Sequence, residues 1–156
     1  MRVLAVDYGT RNVGLAICDE LRIAVRPLAT LHVAKLKRTE IIKRISETAR
    51  EYEATTILVG LPLRMDGTRG EAAERVDRFI AELEREVEIP VVARDERLTS
   101  RAADERLRSE GAGRRERRAR SDETAAVIIL EDYLAESERR QYAARLDSLP
   151  HSEFDA

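Results

Sequence analysis

Arg2-Val3-Leu4-Ala5-Val6-Asp7-Tyr8-Gly9-Thr10-Arg11-Asn12-Val13-Gly14-Leu15-Ala16-Ile17 is the stretch whose reading decides the fold of this 156-residue chain. Val3 to Val6 is a short apolar run of the kind that makes a strand buried on both faces. Asp7 stands where the run should continue. Desolvating an unpaired carboxylate is expensive, so an Asp at the end of a core strand is paired, hydrogen-bonded or bound to a cation. Gly9 and Gly14 bracket a tight turn, after which a second apolar run, Val13 to Cys18, folds back beside the first. The reading is a hairpin with an acid on its floor.

The length fits one domain with a real core. With 43% apolar and 37% charged residues and only six aromatics (four Tyr, two Phe), the chain reads as a soluble globular protein with an aliphatic core. The lone cysteine, Cys18, excludes an internal disulfide. No basic-then-apolar leader is visible and no apolar run nears the roughly 20 residues of a membrane span, so the expected location is the cytoplasm, away from membranes. Net charge is −2, but residues 111–120 hold five Arg and one Glu, a local +4, leaving −6 for the remainder. Arg114, Arg115, Arg117, Arg118 and Arg120 read as a Gly-flanked basic loop able to grip phosphates.

After the hairpin, Ala24 to Leu28 gives a third extended segment, held to an edge by Pro27. Ile41, Ile42, Ile45, Ala49 and Tyr52 fall at helical spacing within Thr39–Tyr52. Thr56 to Val59 is a β-branched run ending at Gly60, followed by a loop to Gly70 that turns at Asp66-Gly67. Glu71 to Glu86 is helical, burying Val76, Phe79, Ile80 and Leu83. Pro90 introduces the short strand Val91-Val92-Ala93, which stops at Arg94-Asp95-Glu96-Arg97. Leu98 to Ser109 predicts a shorter helix. Ser121 predicts the N-cap of a final helix through Ala125, Ala126, Ile129, Leu130, Tyr133 and Leu134. Ala135 to Leu149 predicts one more helix, thin on its apolar side, before an acidic tail. The expected division is a domain over 1–135 and a C-terminal helix and tail over 136–156.

Three strands followed by alternating helix and strand predict an α/β fold with a mixed five-stranded sheet, three strands antiparallel and two parallel, flanked by helices. In such sheets the crevice forms beyond the carboxyl ends of the parallel strands. Asp7, the Gly60 loop and Glu96 emerge there, and Asp122 can join them if the final helix starts over that edge. Carboxylates on rigid elements with no Cys or His nearby suit Mg²⁺ or Mn²⁺ rather than zinc. Two such ions about 3.5–4 Å apart can hold a scissile phosphate and activate water. The histidines, His32 and His151, sit outside every motif, which leaves a Ser or Cys triad without a base.

With these residues in place, the chain resembles the YqgF family, also called RuvX or Holliday junction resolvases, of the ribonuclease H-like superfamily. The resemblance runs from Met1 to about Leu134. Its blocks are Val6-Asp7-Tyr8-Gly9-Thr10 with Gly14, Val59-Gly60-Leu61-Pro62-Leu63 with Met65-Asp66-Gly67-Thr68, Asp95-Glu96-Arg97-Leu98-Thr99-Ser100, and Asp122 with residues 125–130. It implies a ribonuclease H-like fold, an Asp…Glu…Asp metal triad falling on Asp7, Glu96 and Asp122, and metal-dependent cleavage of nucleic acid. Assigned substrates are the 5′ end of pre-16S ribosomal RNA, within ribosomal precursor particles, or branched DNA. Arg11, Arg64 and Arg97, beside these blocks, join the Arg114–Arg120 cluster as expected nucleic-acid contacts. Gly9, Gly14, Gly60 and Gly67 are expected at structural turns. The family usually has Lys-Arg where this chain has Arg11-Asn12, and Asn where it has Arg64.

The Asp-x-Gly-Thr hairpin also occurs in actin-like ATPases, but that fold needs two subdomains and an adjacent pair of glycines. The seven glycines here, at 9, 14, 60, 67, 70, 111 and 113, include no adjacent pair. A catalytically idle nucleic-acid-binding or ribosome-associated scaffold is the other alternative. It has no need to hold like charges together at a repulsive cost. A monomer or weak homodimer is expected.

Overall fold

The computed structural model describes residues 1–97, 105, 108–111 and 114–148, with the backbone alone for 114–124. Its elements are β1 (Arg2–Tyr8), β2 (Asn12–Cys18), β3 (Val25–Pro27), β4 (Leu31–His32), α1 (Arg38–Glu51), β5 (Ala54–Leu61), α2 (Glu71–Glu86), β6 (Val91–Asp95) and α3 (Arg114–Asp147). The sheet order is β3-β2-β1-β5-β6, with β4 also paired to β2. β1 to β3 pair antiparallel, while β1, β5 and β6 run parallel. Strand β1 is therefore central, as the hairpin reading requires.

The two faces of β1 show why. Leu4 and Val6 face a core closed by α1 and α2 through Ile41, Ile45, Val76, Phe79 and Leu83. Val3 and Ala5 face the other side, where Ala126, Ile129 and Leu130 of α3 cover the sheet. Both faces of β1 are dry, so its sequence is continuous rather than alternating. Leu58 and Leu130, wholly buried on the α3 side, each contribute about 1.5–3 kcal/mol by leaving water. That burial is what clamps the long helix to the sheet.

Several expectations are corrected. The sheet has six strands, because residues 31–32 pair with Asn12 and Val13. Two residues carry no periodic signal, and the His32 ring bonded to Asn12 Oδ1 at 2.8 Å is a tertiary contact. The Arg114–Arg120 cluster is not a loop but the first two turns of α3, which places Ser121 inside the helix rather than at its cap. Arg, Glu and Ala are strong helix formers, and no Gly or Pro stands between Gly113 and Pro150 to stop them. The separate helix expected from Ala135 is a continuation of α3, for the same reason. Gly14 and Gly60 lie inside strands β2 and β5, not at turns. Gly9 does turn: a Cβ there would sit 2.5 Å from the Asn12 carbonyl oxygen, whose bond from the Gly9 N–H closes the hairpin. Gly67 also turns, with φ at 84°. Most of the helix expected over 98–109 lies outside the described residues; 105, 108 and 109 are helical.

Two acids outside the sequence motifs have structural partners. Asp19 Oδ1 accepts the backbone N–H groups of Ile23 and Ala24 at 2.7 and 3.1 Å, shaping the β2–β3 turn. Asp132 accepts from Arg94 at 2.7 Å, and Glu136 binds the same guanidinium, so β6 is tied to α3.

Candidate active site

The carboxyl ends of β1, β5 and β6 form one edge of the sheet. Asp7, at the next-to-last position of β1, shares the parity of Val3 and Ala5 and so lies on the α3 face, opposite Gly14 of β2. Glu96 follows the last residue of β6, and its N–H bonds the Leu61 carbonyl at 3.0 Å, which extends the β5–β6 ladder by one step. Gly60, at the matching level of β5, faces the same side. A Cβ on Gly60 would meet Glu96 Oε2 at 2.2 Å and Ile129 Cδ1 at 2.8 Å. The missing side chain is the space the Glu96 carboxyl occupies.

Burial raises the Glu96 pKa to about 8, reinforced by the Asp7 charge, the hydrogen bond to Asp7 and the Asp95 charge, and opposed by Arg75. At neutral pH Glu96 therefore holds its proton and donates it toward the Asp7 carboxylate. An acid that keeps its proton beside a second carboxyl in a half-buried place is a strongly perturbed group of the kind found at functional sites.

Asp95 stands aside from this pair. Its carboxyl accepts the Arg97 backbone N–H at 2.9 Å and the Arg97 Nε at 2.7 Å. Burial opposes its ionisation, but these bonds and the Arg97 charge hold it below the usual carboxylate range. Asp95 thus positions Arg97, whose guanidinium approaches the turn at Gly67. Asp66 shapes that turn by accepting the Thr68 hydroxyl at 2.6 Å and its N–H at 2.9 Å. Arg64 opens the turn, donating its N–H to the Thr68 carbonyl, and packs its side chain against Gly70. Arg11 is exposed on the β1–β2 turn beside the same edge. The edge therefore gathers Asp7, Glu96, Arg11, Arg64 and Arg97.

The remaining expected residues divide differently. Asp122 precedes Ala125, Ala126 and Ile129 by three, four and seven residues, the spacing of one helical stripe. Its side chain, like those of Arg114, Arg115, Arg117, Arg118 and Arg120, lies outside the described residues. Among the described residues no group of three His, Cys, Asp or Glu gathers to hold a metal. The Asp7–Glu96 pair offers hard oxygen donors of the kind a divalent cation takes. It fits such an ion and lacks the N and S donors that zinc prefers.

Sequence reasoning missed Arg75. On α2 it reads as an ordinary charge of the solvent side. In the fold its Nη2 donates to the Tyr8 carbonyl at 3.2 Å, and its guanidinium lies 4.9 Å from the Tyr8 ring centroid. That ring stacks on Phe79, with centroids 4.0 Å apart and planes 8° from parallel. Arg75 and Phe79 are one turn apart, so both grip Tyr8, the neighbour of Asp7. The available signal was the Arg75–Phe79 spacing of four, which means nothing until Tyr8 is known to lie beside it.

Comparison with known proteins gives a consistent picture. The profile of the RuvX family, described as Holliday junction resolvase, matches residues 1–136. A protein of Roseiflexus sp. (strain RS-1) named "Putative pre-16S rRNA nuclease" is 41% identical over 133 residues, which is 85% of this chain and 93% of that one. A protein of the same name from Anaeromyxobacter sp. (strain K) is 42% identical over 134 residues, 86% of this chain and 96% of that one. Among solved structures, Thermus thermophilus RuvC in complex with a Holliday junction substrate superposes with a TM-score of 0.56 at 17% identity, covering 88% of this chain and 96% of that one. The fowlpox virus resolvase with Holliday junction DNA gives 0.53 at 13% identity, covering 87% and 98%. These two likenesses show a common resolvase-type, ribonuclease H-like fold.

Proposed function

This chain belongs to the RuvX family, and from that premise we propose that it is a divalent-metal-dependent nuclease acting in 5′-end maturation of pre-16S ribosomal RNA. The observation that carries the reading is the Asp7–Glu96 pair, two hydrogen-bonded carboxyls at the ends of parallel strands β1 and β6, meeting across Gly60 of the intervening β5. Asp122 completes the acid set. The relatives' names point the substrate toward ribosomal RNA, and therefore the working place toward precursor particles in the cytoplasm. Among the described residues no helix is long and apolar enough to cross a membrane. We assign the nuclease unit to residues 1–135 and treat 136–156 as an appendage, a division supported by the family match over 1–136.

Asp7, Glu96 and Asp122 would hold Mg²⁺ or Mn²⁺, which when bound supplies a Lewis acid for the phosphate and an acidified water as nucleophile. The chain's own residues do the rest. Glu96 is kept next to Asp7 by its ladder bond to Leu61 and by the space over Gly60. Arg75 offsets part of the acids' mutual repulsion. Arg11, Arg64 and Arg97 lie beside the acids' edge with positive charge, and Arg114, Arg115, Arg117, Arg118 and Arg120 at the start of α3 are further expected phosphate contacts. Cationic side chains around an acidic centre are what a polyanionic substrate needs to approach carboxylates.

Branched DNA is the second reading, favoured by the family's description and by the junction-bound neighbour of like fold. One assay tests both. Labelled pre-16S RNA fragments, single-stranded DNA and a four-way junction are incubated with the protein and Mn²⁺. The RNA should be cut by the native protein and not by Asp7→Asn or Asp122→Asn, which should keep their affinity because the substitution removes negative charge. Cleavage of the junction alone would move the assignment to DNA. Wild-type rates in folded Asp7→Asn would overturn the nuclease site and favour the scaffold.

A further inference from the structure

From Glu138 onward, α3 packs against no other element among the described residues. From Glu138 to Asp147 every residue is exposed, yet this segment carries Tyr142 at 66% and Leu146 at 47% exposure. Ile128, Ala135 and Tyr142 recur every seven residues, two helical turns, with Leu146 one turn further. This stripe lies opposite the positions of Ala126, Leu130 and Tyr133, which pack on the sheet. The helix is thus apolar on two sides, and the described residues cover one.

A groove of about 500 Å³ borders the uncovered side, between the β2–β3 turn and α3, with Leu21, Ile23, Leu134 and Gln141 in its walls. Leu21 and Ile23 are 76% and 78% exposed. Large apolar groups left in water this way, clustered at one end of a molecule, mark an interaction surface.

Charge along the helix identifies the occupant. Glu131 and Glu138 lie on the groove side, whereas Arg139 and Arg145 follow on the distal arm. An acidic half beside a basic half of one helix is self-complementary only when a second copy runs antiparallel, which is the condition for a two-fold contact. We propose that this face is the interface of a homodimer, formed by two antiparallel α3 helices with the two-fold axis between Glu138 and Arg139. That register sets Glu138 against the partner's Arg139, packs Tyr142 on the partner's Ala135, and brings Leu146 beside the partner's groove at Leu21 and Ile23. Four exposed apolar side chains per copy are then covered. The acidic edge of the sheet is not involved, so the dimer stands or falls independently of the nuclease assignment.

Sedimentation equilibrium of the full chain over rising concentration should show a monomer–dimer equilibrium. The double variant Tyr142→Ser, Leu146→Ser should weaken association at least tenfold. It leaves the buried core untouched, so circular dichroism and melting should report a folded monomer. Glu138→Arg and Arg139→Glu should each weaken association, and the two together should restore it, because the swapped charges again meet across the axis. A native chain that stays monomeric, or a dimer indifferent to Tyr142 and Leu146, would overturn the proposal. Failure of the charge swap to restore association would overturn the antiparallel register.

Discussion

Substituting Gly60 by alanine tests the site through its geometry without touching a charged group. The added Cβ would lie 2.2 Å from Glu96 Oε2 and 3.1 Å from Glu96 Cδ. Contacts of a Cβ below 3.0 Å are essentially never found, so the carboxyl must retreat by at least 0.8 Å, the difference between that limit and 2.2 Å. Ile129 Cδ1, at 2.8 Å, can yield by rotating a terminal methyl. The Glu96 carboxyl has less freedom, since its backbone is pinned to Leu61 and its oxygen faces Asp7. Displacing a catalytic group by about 1 Å costs on the order of 100-fold in rate. Overpacking of this kind costs about 1–3 kcal/mol, partly offset by the lower chain entropy of alanine in the unfolded state. The expected result is a folded protein, a few degrees less stable by calorimetry, whose cleavage rate at saturating Mn²⁺ falls about 100-fold while substrate affinity holds. Adding Glu96→Asp, which shortens the side chain by one methylene, should recover part of the lost stability. A Gly60→Ala protein cutting at the native rate would refute the placement of Glu96 in the site.

Proton linkage gives the next expectation. Glu96 keeps its proton to about 8 in the fold, against an ordinary value of 4.5, so between these limits the native state holds more protons than the unfolded one. The Glu96 contribution to the stability of the metal-free protein should therefore be fully present below 4.5, where the group is protonated in both states, and fall as pH rises from 4.5 towards 8, by up to about 1.4 kcal/mol per pH unit. Chemical denaturation across this range should show the slope in the native protein and lose most of it in Glu96→Gln; equal slopes in both would locate the linkage elsewhere. Replacing Arg117 and Arg118 by Ala should weaken binding to RNA and lower the salt dependence of affinity by about 0.7–0.9 slope units per lost phosphate contact. Unchanged affinity and slope in a salt titration would remove these residues from the interface.

Much of the fold was legible locally because its signals are local. The dry run before Asp7, the turn at Gly9 and the helical spacing of Ile41, Ile45 and Ala49 each express a choice made within a few residues, and the observed sheet keeps the expected order of antiparallel and parallel strands. Asp7 and Glu96 were legible for a related reason: a carboxylate ending an apolar strand is anomalous whatever surrounds it. The start of α3 was misread because Gly111 and Gly113 beside dense positive charge resemble a loop, although the residues that follow have strong helix propensity.

What the tertiary structure alone decided concerns groups distant in sequence. Gly14 and Gly60 look like turn glycines, but each lies within a strand, and Gly60 leaves the room in which Glu96 meets Asp7. Arg75 becomes part of the site only because Tyr8 of β1 stacks on Phe79 of α2. Asp132 and Glu136 become a tie only when Arg94 of β6 comes to lie beneath α3. Sequence records backbone preference and the polarity of neighbours, which act over a few residues. Steric room, a retained proton and a shared guanidinium depend on distances across the fold, and the burial of both faces of β1 sets those distances.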